Sequence, residues 1–95
     1  MTAPRPETTA LATTALAKLN EALALTAAYP LGKHDAPRIV ELRRKVFQFH
    51  RCDDAGMLGV NGYGPAIDDV LRSARFRADR GRDALTDPYF VGGRV

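Results

Sequence analysis

The chain has 95 residues, 45% hydrophobic and 26% charged, with a formal net charge of +3 and a pI of about 9.4. That length predicts one domain with a modest core, and the charge describes a basic protein short of histone-like density. A single cysteine, Cys52, excludes an intramolecular disulfide and a thiolate zinc cage. No secretion signal and no long apolar stretch is visible, so no membrane association and a cytoplasmic location are expected.

Residues 1–6 contain two prolines and nothing that packs, which predicts a flexible arm ahead of a single helical domain over 7–95. From 7 to 28 the composition turns to Ala, Leu and Thr, a helix-forming mixture. Ala12, Leu16, Leu19 and Leu23 recur at spacings of four and three, a seam for one neighbouring helix or for a second copy of the chain. Leu11 and Leu25 fall off this seam and read as ordinary exposed leucines. Tyr29-Pro30 ends the helix, because proline disfavours helical backbone at the residue before it. His34 reads as a solvated loop residue, and Asp35 is placed to cap the next helix.

The second helix is expected over 36–51. Its apolar residues form two stripes, Ile39, Leu42, Val46 and Phe49 on one, Ala36, Val40 and Phe47 on the other. Two stripes predict a central helix wedged between two neighbours. Glu41, Arg44, Lys45, Gln48 and Arg51 are left to face water, and His50 sits at the edge of the main stripe.

The stretch after Arg51 is rich in glycine. Asp53 or Asp54 can cap a short turn over 55–58, and Asn61-Gly62 signals a further turn. A phosphate cradle is excluded on two grounds. Gly64 is followed by Pro65-Ala66 rather than by Lys and Ser or Thr, and the preceding element is a helix rather than a strand. Asp68 and Asp69 would also repel phosphate from the next helix start. The segment therefore reads as a connector, with Met57, Leu58, Val60 and Tyr63 folded onto the core.

The third long helix is expected over 65–80, with Pro65 in its first turn and Gly81 just past its end. Ile67, Val70, Leu71, Ala74 and Ala78 make its core stripe. Phe76 lies opposite that stripe, with Arg72 and Arg80 one turn away on either side. An aromatic at the centre of a polar face reads as a binding residue, or as part of a satellite cluster covered by a folded-back C-terminal tail. The remaining tail carries Tyr89, Phe90 and Val91, apolar enough to fold back or to meet a partner. The fold expected is thus an all-α three-helix domain with a Gly-rich connector and an apolar C-terminal tail.

Charge falls in blocks. Residues 36–51 hold five basic and one acidic residue, 52–71 four aspartates, and 72–95 six arginines and three aspartates. Asp68 with Arg72 and Arg75 with Asp79 are spaced for i,i+4 ion pairs along one helix. Catalysis has no support. Cys52 and His50 are two apart and lack a third orienting group, and the four aspartates lack calcium-loop spacing. No cofactor and no metal is expected.

Two binding readings remain. The first is an accessory or assembly module that binds another protein or a second copy through Phe76, Arg72 and Arg80 and through Leu16, Leu19 and Leu23. The second is nucleic-acid binding, largely independent of sequence, by a face of Arg44, Lys45, Arg51, Arg72, Arg75, Arg80 and Arg82, with Phe76 stacked on a base. A helix-turn-helix reader is disfavoured, since the reading end of the third helix carries Asp68-Asp69.

Overall fold

The Ala- and Leu-rich N-terminal segment forms a helix of 21 residues, and the other helices are arranged around it. In the computed structural model, residues 3–27 and 35–86 are described, with the side chains of 81–86 excepted. The elements are α1 (Pro6–Thr26), α2 (Ala36–Arg51), the single turn α3 (Ala55–Leu58) and α4 (Gly64–Thr86), with no strand among the described residues. The chain is all-α, and its three long helices are the three expected from sequence.

Side-chain contacts give the topology. Thr9 near the start of α1 meets His50 near the end of α2, so these two helices run antiparallel. Lys18 meets Asp68, and Glu21, one turn further, meets Arg75, so α4 runs parallel to α1. Arg38 and Asp35 of the α2 start reach Asp69 and Arg77, so α2 and α4 are antiparallel. The result is an up-down-up bundle with α3 and the glycine connector at one end.

α1 packs against α2, α3 and α4 at once. Its centre line of Thr8, Ala12, Ala15, Leu19, Ala22 and Thr26 is buried. The flank that repeats every seven residues as Thr9, Leu16 and Leu23 faces α2, and the flank of Leu11, Lys18 and Leu25 faces α4. Leu11 and Leu25 are therefore half-buried core neighbours rather than exposed leucines. The small alanines let two helices approach one axis closely, which is why α1, not α2, is the central helix.

α2 buries only the stripe of Ile39, Leu42 and Val46, with Phe49 packed against the core. Its second stripe is exposed, Val40 by 51% and Phe47 by 49%. The expected second neighbour of α2 is α4, but it meets α2 chiefly through ion pairs on the other flank.

The ends of the helices differ from the sequence reading in three places. Asp35 is the residue before α2 but makes no capping hydrogen bond, and its carboxylate instead accepts two bonds from Arg77, at 2.8 and 2.9 Å. Arg5 is tethered rather than flexible. Its backbone N–H and its Nε each donate to the Asp53 carboxylate at 3.1 Å, and the buried Thr8 hydroxyl donates to the same group at 2.5 Å. Gly81 does not end α4, which continues to Thr86. Glycine stops a helix by adopting positive φ, and none of the described glycines does so. Inside a helix it costs only about 1 kcal/mol relative to alanine.

The connector is held by its own backbone. Asp54 caps α3 as expected, accepting the Met57 N–H at 3.1 Å. Tyr63 N–H donates to Met57 C=O at 2.8 Å and Gly64 N–H to Gly59 C=O at 3.1 Å. These returns bring Gly62 against the Met57 backbone and Gly64 against the Gly59 carbonyl, where a Cβ has no room. Leu58 is buried and Tyr63 stacks on Phe49 with ring centroids 5.7 Å apart, as the apolar pattern implied. Val60 is not folded in; it is 82% exposed. Residues 87–95, including Tyr89, Phe90 and Val91, lie outside the described residues.

Candidate interaction surfaces

The acidic side chains are taken up largely by cross-helix pairs. Lys18 Nζ lies 2.6 Å from Asp68, and Arg75 spans both oxygens of Glu21 at 2.6 and 3.0 Å. Arg38 lies 3.6 Å from Asp69. Neither i,i+4 pair read from sequence forms: Asp68 pairs with Lys18 rather than Arg72, and Arg75 with Glu21 rather than Asp79. The reason is register. Once α4 lies parallel to α1, opposite charges on the facing helix are nearer than those one turn along. Arg44 does pair within its helix, with Glu41 at i−3.

These bonds set the carboxylates' acidity. The hydrogen bonds from Arg75 and Arg44 hold Glu21 and Glu41 below their ordinary value of 4.5. The Thr8 hydroxyl, then the Arg5 backbone N–H, hold Asp53 below 3.8. All are solvent-screened and add little stability, and the Glu21–Arg75 pair acts chiefly on the register of α4 against α1.

What remains after pairing is a surplus of cations. Arg43, Lys45, Arg51, Arg72 and Arg80 have no carboxylate partner among the described residues. Two of them lie against exposed aromatic rings instead, Arg80 at 5.7 Å from the Phe76 centroid and Arg43 at 5.9 Å from that of Phe47. A guanidinium over a ring face is held by the ring's quadrupole and leaves its outer N–H groups open to an acceptor.

The far side of α4 carries the first of these patches. Ile67, Val70, Leu71, Ala74 and Ala78 are buried, and Phe76, turned away from them, is 62% exposed. Arg72, Ser73, Phe76 and Arg77 line a shallow groove of about 340 Å³. Phe76, Arg72 and Arg80 are therefore brought together as the sequence implied. The leucine seam is not a free surface. Leu19 is 0% exposed inside the bundle, and Leu16 and Leu23 are half-buried on the flank of α1 facing α2. Their neighbour is the chain's own α2, so Leu19 in particular is a core residue rather than a partner contact.

The seven-residue basic face is not continuous. Arg44 and Arg75 are engaged by glutamates. On α2, Lys45 shares with Arg38, seven residues before it, the flank that meets α4, whereas Arg44 and Arg51 share another flank. Arg72 and Arg80 stay together beside Phe76, and the Arg82 side chain lies outside the described residues.

The second patch is on α2, where Val40, Arg43, Phe47 and Arg51 fall along one side of the helix. Sequence reasoning assigned Val40 and Phe47 to the core. No local signal separates them from core, since Arg38 and Arg43 border the buried stripe just as Arg43 and Arg51 border the exposed one.

No group of three or more His, Cys, Asp or Glu among the described residues is arranged to hold a metal ion, and no described helix is long and apolar enough to cross a membrane. Comparison of the chain with protein-family models, with curated proteins and with solved structures yields no match.

Proposed function

We propose that the chain is a small helical accessory or assembly module that acts by binding another protein or a second copy of itself. The observation that carries this reading is Phe76. A large aromatic ring, mostly in water and flanked by Arg72 and Arg80 without carboxylate partners among the described residues, adds little to folding. Exposed aromatics raise the risk of non-specific association, and Arg with aromatics is the pairing enriched at interface centres. The test compares the wild-type chain with Phe76→Ala. Tm should move by no more than about 3 °C, as for an exposed position. Sedimentation equilibrium and affinity capture should show species held by the wild type and lost from the variant. A large fall in Tm, or an unchanged set of bound species, refutes the reading.

A second reading is single-stranded nucleic-acid binding at the same face, favoured by the placement of two unpaired guanidiniums on either side of a ring that can stack on a base. Titration of a labelled single strand should then weaken steeply with salt and with Phe76→Ala. The engagement of Arg44 and Arg75 by glutamates leaves fewer phosphate contacts than the sequence suggested, and ranks this reading second.

A further inference from the structure

We propose that the outer flank of α2, built from Val40, Arg43, Phe47 and Arg51, is a docking face for an acidic amphipathic helix of a partner protein. This surface is separate from the Phe76 face. Arg38 marks the flank of α2 turned toward α4 by its pair with Asp69. Val40, two residues on, points about 160° away around the helix.

Three observations define the occupant. The first is spacing. Val40 and Phe47 are both about half exposed and seven residues apart, so they stand about 10 Å apart along the axis. A partner helix with apolar residues at i, i+3 and i+7 presents anchors over that same length. The second is charge. Arg43 borders the apolar strip on one edge and Arg51 on the other, and neither has a carboxylate partner among the described residues. Glu41, the acidic residue of α2, is already held at both oxygens by Nε and Nη2 of Arg44. A face with surplus arginine repels a second copy of itself, which argues against a dimer here, and complements a helix carrying carboxylates beside its apolar stripe. The third is the state of Arg43. Its Nε is buried without a hydrogen-bond partner while its guanidinium lies over Phe47. That Nε is covered, so a partner carboxylate accepts instead from the outer N–H groups of the same guanidinium, which stand beside the Phe47 ring. Nucleic acid fits less well, because Val40 offers a base neither a stacking plane nor a hydrogen bond.

The test uses a fluorescein-labelled helical peptide of about five turns, with leucines at i, i+3 and i+7 and glutamates along both edges. It is titrated into the full chain by fluorescence polarisation. A scrambled peptide of the same composition and a labelled oligo-dT strand serve as comparators. The variants are Phe47→Ala, Val40→Ser and Arg43→Gln on this face, and Phe76→Ala on the other. The wild type should bind the amphipathic peptide in preference to the scrambled one. Each α2 variant should weaken binding by about tenfold or more while still melting cooperatively from a folded state, and Phe76→Ala should leave binding unchanged. Val40→Ser keeps the test decisive if Phe47→Ala alters the fold. The proposal is overturned if the scrambled peptide binds equally, or if the α2 variants bind as the wild type does. It is equally overturned if oligo-dT binds at this face in place of the peptide, or if the free chain is a dimer that Val40→Ser dissociates. Loss of peptide binding in Phe76→Ala alone would reassign the peptide to α4 and leave the function proposed for that face standing.

Discussion

Replacing Leu19 by alanine tests which helix the bundle is built around. Leu19 is fully buried at the centre of α1, where α2 packs on one flank and α4 on the other. Truncation removes three carbons from a site lined on both sides, and the backbones of two helices resist collapse into the void. The expected cost is about 3 kcal/mol, within the range for Leu→Ala in closed cores. The unfolding entropy of a chain of 95 residues is about 0.2 kcal/mol/K, so Tm should fall by about 15 °C. Leu16→Ala and Leu23→Ala, half-buried on the α2 flank, should each cost about 1–2 kcal/mol. Phe47→Ala should cost about 1 kcal/mol despite the larger side chain removed, since half of the ring is already in water. Val46→Ala, fully buried on the other stripe of α2, should cost about 2 kcal/mol, and Lys45→Ala beside it should be near neutral. Thermal and urea melts followed by far-UV circular dichroism give all six values. If Phe47→Ala destabilises as much as Leu19→Ala, α2 rather than α1 is the central helix.

Two further outcomes follow from local geometry. Asp53 ties Arg5 and Thr8 to the turn after α2, and its folded-state pKa is lowered by those hydrogen bonds. A lowered carboxylate pKa adds stability above the unfolded value, and that increment is lost as pH falls through the folded value. Stability should therefore drop below the ordinary 3.8 of an aspartate, and Asp53→Asn should be less stable at neutral pH with a shallower acid limb; an unaltered acid limb in melts across this range would dissociate the clamp from folding. Gly62→Ala drives a methyl into the Met57 backbone and should cost about 2 kcal/mol, read from urea melts, whereas Gly56→Ala, with only ordinary contact to the Asp54 side chain, should be tolerated.

Sequence alone determined the number of long helices, the main buried stripe of α2 and that of α4, a capping aspartate at Asp53 or Asp54 and the outward position of Phe76. Each of these follows from rules that act within a few residues: helical period, capping chemistry and the side-chain volume on one face. Tertiary structure decided the rest. α1 is rich in alanine and threonine, so its buried line contrasts little in hydropathy with its exposed side. α2 has sharp contrast and two stripes. Period therefore singled out α2 as central, yet closeness of approach depends on side-chain size, and the alanines of α1 admit two neighbours where Val40 and Phe47 of α2 admit none. Charge pairing went the same way. Spacing along one helix proposes partners at i+4, but the parallel register of α4 on α1 placed Glu21 at Arg75 and Lys18 at Asp68. Which cations stay unpaired, and so which surfaces can attract an acidic partner, is a property of how the helices are juxtaposed, and no local pattern encodes it.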